Sequence, residues 1–590
     1  MILQALNEHY WHLLEERESG VAPPGYSLVE ISFVIVLSVT GELLDMYKVE
    51  QGELVPEHKK RSGKNPPPYF LCDKILYSLG VGKDKTEGQK RYEQYREYNL
   101  KLLQNVACIE GKAVSAFLNS WNSLLWDAHP IIMHYQKEFD KPANYNTVYK
   151  IDGHSGYVHN HSEIASQWME EQSKNEDQVE LRAQCLVTGE YESIAKTHDV
   201  AIKGAGGQPA GTALVSFQIE SFRSYGKTQS FNAPVSKKAA FAYGTALNYL
   251  IASDTNRVRL ADTTMVFWAD KKGGKTEEIV LAWSLDPVII DSASDDEKRR
   301  IDPSAARQAK TILERAKSGL PVDDATFNPE TRCYLLGIAP NAARLSVRFW
   351  QISNFGDVLE KIAQHYKDME IAGIERLGGM ISPWRTLKAI AVQEDARNIP
   401  PLLSGQFLKT ILSGHMYPQT VYNLALNRWR SGGEHRGVSL VSRAAIIKAF
   451  LIRKYRVQGQ AEKEAMITVS LNENNTNTAY QLGRLFSLLE KVQKDALADI
   501  NATISDRYFG AASATPGTVF PLLLRLSRHH IAKAKYGNVI DRKVQDVMNR
   551  LDSFPAHLNI EDQGQFILGY YHQNQANYAK NDSNEVEKEG

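Results

Sequence analysis

The hydrophobic periodicity of this chain changes once, near Asp357, and that change constrains its fold more than any other feature. Before it, short apolar runs alternate with glycine-rich turns. After it, apolar residues recur at helical spacing almost to the end. Residues 31–37 and 43–49 flank Thr40-Gly41, which predicts a β-hairpin. Residues 85–104 and 112–138 carry helical periodicity. So do residues 1–16, through Ile2, Leu3, Leu6, Tyr10, Leu13 and Leu14. From 181 to 285 strands are expected to dominate, separated by turns at Thr188-Gly189, 204–211 and Gly273-Gly274, with one helix inserted at 236–251. Residues 291–317 are charged and read as helix. In the helical half, breaks fall at Gly378-Gly379, Pro400-Pro401, Tyr417-Pro418 and Ser431-Gly432-Gly433.

The expectation is an α+β protein. Its N-terminal half is mixed α/β with short-stranded sheets; its C-terminal half is all helical and ends in a helical bundle. A chain of 590 residues exceeds one ordinary domain. The predicted division is 1–356, a basic helical region 357–465, a bundle 466–579 around the polar stretch 472–478, and a polar tail 580–590 with the composition of disorder.

Charge is balanced overall, 69 Lys+Arg against 69 Asp+Glu, so any nucleic-acid contact must come from local patches or from partners. One patch stands out. Residues 381–465 hold 13 Lys/Arg against 5 Asp/Glu. Arg428, Arg430, Arg443, Lys448, Arg453 and Lys454 are the candidates there for holding a strand through its phosphates, since cations three or four apart share a helix face. A solvated face is the plainer alternative. Cys72, Cys108, Cys185 and Cys333 are scattered, with no C-x-x-C pair, which predicts reduced thiols in a cytoplasmic protein and neither a disulfide framework nor a cysteine-based zinc site. No apolar run is long enough for a membrane span, so no membrane partner is expected.

Catalytic signatures fail on inspection. Residues 269–276 end in Gly-Gly-Lys275-Thr and match a relaxed phosphate-binding loop, but 277–283 read as a strand where that loop needs a helix; a β-hairpin with a basic turn is expected instead. Gly226-Lys227-Thr228 lacks the required glycine, because Ser221 stands there. His154, His159 and His161 cluster in sequence without a recognisable set of metal ligands downstream, and surface or capping roles are expected for them. His529 and His530 are adjacent and point apart. The acidic run 291–297 suits a helix start. No cofactor, metal or catalytic residue is predicted. The enzymatic alternative is a nucleotide- or metal-dependent nuclease using Lys275 or the histidines of 154–161.

Several blocks resemble one family, the large subunit of the type I-C CRISPR Cascade interference complex. Residues 1–7 and Gly20-Val21-Ala22-Pro23-Pro24-Gly25 are similar to its start. Arg61-Ser62-Gly63 with 68–73 and Tyr77-Ser78-Leu79-Gly80 resemble a second block, and 185–190 with Ile202-Lys203-Gly204 a third. The most specific stretch, 214–251, holds Ser224-Tyr225-Gly226-Lys227, Asn232-Ala233-Pro234-Val235 and 239–243. Residues 341–350 and 443–449 complete the set. Arg223 stands where the family pattern has an acidic residue, and Thr228 where it has Glu, which changes the local charge of that stretch.

The resemblance implies a non-enzymatic subunit that recognises a short flanking motif (the PAM) in double-stranded DNA, promotes unwinding and R-loop formation, and stabilises the displaced strand. Implied partners are a guide RNA, target double-stranded DNA, the Cascade backbone subunits, a guide-RNA-processing subunit and a recruited helicase-nuclease that does the cutting. PAM-proximal candidates are Lys59, Lys60, Arg61, Lys64 and Asn65 in a proline-bounded basic loop, and Ser224, Tyr225, Lys227, Gln229 and Asn232. The turn residues among them suit a purely structural role equally well. The family also makes small subunits by internal translation of the same gene, and Met466, just before the polar stretch, is the candidate start. A scaffold without DNA contact is the remaining alternative.

Overall fold

The expected hairpin forms, and it organises the first unit of the chain. In the computed structural model, which describes residues 1–16, 19–58, 61, 65–135, 139, 145–176, 181–209, 211–217, 219–270, 274–287, 302–322, 327–431, 438–497 and 502–578, strand β1 (Tyr26–Leu37) pairs antiparallel with β2 (Leu43–Pro56). Gly41 makes the turn at φ +86°, where a Cβ would lie 2.6 Å from the Ala113 carbonyl oxygen. Strands β3 (Asp73–Lys74) and β4 (Asn146–Ile151) complete a sheet of order β2-β1-β4-β3. β1 and β4 are parallel, so the chain between them must cross over; it does so through the helices Lys85–Leu103 and Ile109–Ser120. Burial on both faces explains why β1 reads as a nearly continuous apolar run. Phe33, Ile35 and Leu37 pack with Tyr95, Phe117 and Tyr149 on one side, while Ile31 and Val34 meet Val55, Cys72 and Val148 on the other.

The helix expected over 112–138 stops at Ser120. Trp121 turns extended, the Asn122 side chain caps a 3-10 segment Ser123–Ala128, and Pro130 opens a short helix Pro130–His134. The strand-rich reading of 181–285 also needs correction. Among the described residues there, the strands are β5 (Arg182–Gln184), β6 (Tyr191–Ser193), β7 (Arg257–Leu260) and β8 (Thr263–Ala269), around the helix Lys237–Ala252. Gly204, Gly206 and Gly211 hold positive φ, which breaks any ladder between β6 and β7.

By contacts the chain divides into Met1–Tyr249 with Ala342–Leu345, and Leu250–Asn341 with Ser346–Gly590. In the second unit β7 and β8 join β9 (Arg332–Asn341) and β10 (Arg344–Asn354) in the order β10-β9-β8-β7. Residues 277–283, expected as a strand, lie within the helix Lys275–Leu285. Val280 to Leu285 are buried without a gap, and a short apolar run of that kind does not distinguish a strand from a buried helix. Strand, glycine turn and helix therefore follow in the order that a phosphate-binding loop requires. The electrostatics oppose it. Glu277 and Glu278 fill the first turn, and their carboxylates accept the Asn328 and Ala269 backbone N–H groups at 2.8 and 2.9 Å. β8 is also antiparallel to both neighbours. The acidic run 291–297 lies outside the described residues; the helix that follows it is Pro303–Lys317, capped by Asp302.

Beyond β10 the described chain is helical, as expected. The central helix Thr478–Ala496 is buried almost all round and crosses Ile560–Tyr578. Two glycines set that crossing. A Cβ on Gly483 would lie 2.0 Å from the Phe566 carbonyl oxygen, and one on Gly569 2.0 Å from that of Tyr480. Backbone cannot yield as a side-chain tip can, so Gly483→Ala is expected to destabilise the protein by about 1–3 kcal/mol despite alanine's better helix propensity. Thermal or chemical denaturation checks the sign; a stabilised variant would contradict the packing.

Candidate nucleic-acid interface

Of the basic loop, Lys59, Lys60 and Lys64 lie outside the described residues, but its base is well defined. Arg61 is not a free phosphate donor. Its guanidinium lies 3.7 Å from the Tyr69 ring centre and 4.0 Å from that of Tyr77. It donates to Asp73 Oδ2 at 2.5 Å and to the Pro67 carbonyl at 2.8 Å. Asp73 is wholly buried; burial pushes its carboxyl up, and Arg61 opposes that shift. His58 stacks on Tyr69 at 4.0 Å and faces the Cys72 carbonyl at 2.9 Å, with burial driving its imidazole down to about 3. The two ends of the loop are thus held by an aromatic and ionic clamp. Asn65 is exposed, and its Oδ1 accepts from Lys90 Nζ at 3.0 Å.

The second segment is a stapled turn. Asn232 Oδ1 accepts the Ser224 backbone N–H at 2.8 Å, while its Nδ2 donates to the Gln229 and Lys227 carbonyls at 2.8 and 3.3 Å. Asn232 therefore shapes the turn rather than facing a base, as does the backbone of Ser224. Tyr225 and Gln229 are held at φ +51° and +50°, and Gly226 at +70°. The result puts Tyr225 at the tip, 97% exposed, with Lys227 exposed beside it. Phe222 and Ile219 add exposed apolar surface, Arg344 lies 4.8 Å from the Phe222 ring, and Arg223 pairs with Glu220 at 2.9 Å.

The basic stripe expected on the helix Val438–Val457 turns inward. Arg443, Lys448 and Arg453 are each only 2% exposed. Arg443 donates to the Ala389 carbonyl at 2.7 Å and pairs with Glu394 at 2.9 Å. Lys448 donates to the Asp368 carbonyl at 3.0 Å. Arg453 reaches Asp368 Oδ2 at 3.4 Å and the Thr410 and His415 carbonyls at 3.1 Å each, under the Tyr417 ring. Lys454 is bound to Glu561. Four of the six strand-binding candidates are thus engaged by internal acceptors. Arg428 bonds Ser431 and Arg430 bonds Gln563, each through one guanidinium nitrogen, and of the six only Arg430 is exposed. Periodicity located the cations but not the acceptors opposite them.

Of the three histidines His159 departs from the expected surface or capping role, whereas His161 takes a capping one, accepting the Glu163 N–H at 3.3 Å at the start of Ser162–Glu176. His159 is buried, 3.1 Å from the Leu54 carbonyl, and its neighbour Glu53 is held below the usual carboxylate range chiefly by it. His154 and His161 both face Glu110, at 2.9 and 3.7 Å. Beside His161 stand Glu163, two residues on, and Cys108, from a segment that no local spacing links to it.

A comparison with protein families matches residues 6–578 to the family described as CRISPR-associated protein (Cas_Csd1). The chain belongs to this family. Comparison with curated proteins returns no match. Membership makes it a CRISPR-associated protein of Cascade type. No helix among the described residues is long and apolar enough to cross a membrane.

In this Cas_Csd1 protein the buried cations carry a measurable pH signature. Burial drives the Lys448 ammonium from 10.5 down to about 8, against the pull of Asp368. Between those values the folded state holds fewer protons than the unfolded chain. The cost of the buried charge is full below about pH 8 and is relieved as pH rises, by up to about 1.4 kcal/mol per unit. From about pH 7.5 to about pH 10.5, the stability of the wild type relative to Lys448→Met should shift in favour of the wild type by roughly 3 kcal/mol. Denaturant titrations at the two pH values read it; an unchanged difference would mean that Lys448 does not titrate inside that window.

Proposed function

We propose that the chain is the non-catalytic large subunit of a type I-C CRISPR RNA-guided complex, that it recognises the flanking motif of double-stranded target DNA, and that it begins unwinding there. Tyr225 carries this reading. A bare aromatic ring at a loop tip is held in a conformation that only glycine adopts freely, by an asparagine bonded to three positions of the same turn. Such a ring offers a face on which a base can stack or a wedge that parts two base pairs. Lys227 beside it supplies a cation for a phosphate, and 59–64, clamped at its base by Arg61, supplies Lys59, Lys60 and Lys64. Recognition of the target sequence itself falls to the guide RNA. The backbone subunits, the guide-RNA-processing subunit and the recruited helicase-nuclease are the protein partners this role implies, and Arg430 remains available for the displaced strand.

Duplex binding by the guide-loaded complex, assembled with and without this chain across all flanking trinucleotides, tests the role. Flank-dependent binding that vanishes with the chain supports it; equal binding without the chain makes it a scaffold. Within the complex, Tyr225→Ala should slow strand opening, read by a fluorescent base analogue beside the flank, by about tenfold or more, as expected when roughly 1–3 kcal/mol of stacking is lost. Tyr225→Phe should retain opening.

The same role includes a separate small subunit begun at Met466. The Phe486, Phe509, Phe520, Phe566 and Tyr570 rings, in contacts of 5.0–6.4 Å between centroids, all lie C-terminal to that residue, and Trp429 from before it packs on Phe509 and Tyr570 at 5.9 and 6.0 Å. Met466 ends the helix Ala461–Met466, and its carbonyl accepts the Asn472 and Asn475 amides, both at 3.1 Å. Met466→Leu should abolish a short C-terminal product in the native host while the full chain persists; mass spectrometry finding only full-length chain in the wild type would remove the small-subunit role.

A further inference from the structure

The crossover of the first sheet brings together, from segments about fifty residues apart in sequence, a set of side chains that neither the hairpin nor the DNA-facing turn uses. Cys108 precedes the helix Ile109–Ser120 as its N-cap. His161 precedes the helix Ser162–Glu176, and Glu163 lies in that helix's first turn. One donor atom from each of Cys108, His161 and Glu163 lies within 4.8 Å of the other two. All three are half-buried, and a cavity of about 250 Å³ lined by Glu110, His154, Ser155, Asn160, His161 and Ser162 opens beside them. No lysine or arginine lines that cavity.

From this geometry we infer that Cys108, His161 and Glu163 bind one zinc ion, with a water from the cavity as fourth ligand. The donor types suit it: thiolate, imidazole and carboxylate are the zinc set, and one thiolate with one carboxylate neutralises a divalent ion. Tetrahedral bonds of about 2.0–2.3 Å place ligand atoms about 3.3–3.8 Å apart, so the trio closes by up to about 1.5 Å on binding. Glu110 supplies what a zinc-bound histidine needs behind it. Its Oε2 stands 3.7 Å from His161 Nε2, while its Oε1 meets His154 Nδ1 at 2.9 Å; His161 Nδ1, which accepts the Glu163 N–H at 3.3 Å, would give up that contact to the ion. Glu163 Oε1 accepts the Ala107 N–H at 2.5 Å, which orients its other oxygen. Binding releases the Cys108 thiol proton to solvent, and no other bond changes. The ion would pin the first turn of Ile109–Ser120 to that of Ser162–Glu176, fixing the chain on either side of β4. This site is independent of the DNA-binding role.

Zinc is the probe. The full chain, stripped by chelator and dialysed, should take up one equivalent of zinc by elemental analysis. Zinc at a hundredfold excess over its dissociation constant should raise the melting midpoint of the full chain by about 2 °C. Cobalt in its place should show a thiolate-to-metal charge-transfer band. Cys108→Ser should abolish the band, and Glu163→Gln should weaken binding at least tenfold. Should Cys108→Ser fail to fold, the wild-type stoichiometry, the cobalt band and Glu163→Gln decide alone. A wild type that takes up no zinc, or a cobalt complex without the thiolate band, overturns the inference.

Discussion

A single buried carboxylate, Asp368, organises the helical half. It receives Arg453 at 3.4 Å and Arg456 through both of its oxygens at 2.8 and 3.1 Å, and its backbone carbonyl takes Lys448. Burying a cation alone is costly, and removing one partner from such a group costs about 3–5 kcal/mol. The helix Val438–Val457 can run through the core only because these acceptors meet it. Glu464 completes Arg456, and the Thr410 and His415 carbonyls complete Arg453. Much of what the composition displays as a basic patch is therefore internal wiring.

The first unit uses polar groups differently. Arg61 and Asp73 pair beside Tyr69 and Tyr77, and Asn232 closes the turn that carries Tyr225. Here the polar side chains nearest the backbone build the shape of the turn. That role explains why a sequence reading that grouped Arg61 with Lys60, or Asn232 with Lys227, joined residues of different kinds.

Much of the fold was legible because it rests on local signals. The β1–β2 turn, the helix Lys237–Ala252 and the helical C-terminal half follow from Thr40-Gly41, from periodicity and from the absence of strand punctuation. The helix Lys275–Leu285 was illegible because Ile279-Val280-Leu281 is apolar all round, and only the environment of Glu277 and Glu278 decides its form. The site was legible as segments and not as roles. Tyr225 and Lys227 could be named from the turn, but whether Arg443 faces water or the Ala389 carbonyl depends on a residue fifty-four positions away. Cys108 and His161 are separated by a whole crossover and meet only in three dimensions.

Tyr225 also says something about the history of the chain. At φ +51° a side chain costs about 1 kcal/mol or more, and an exposed ring gains nothing from burial to offset it. Selection on folding alone would drift this position toward glycine or asparagine, which occupy that conformation with least strain. A tyrosine there costs conformational energy that burial does not offset, and its ring faces outward.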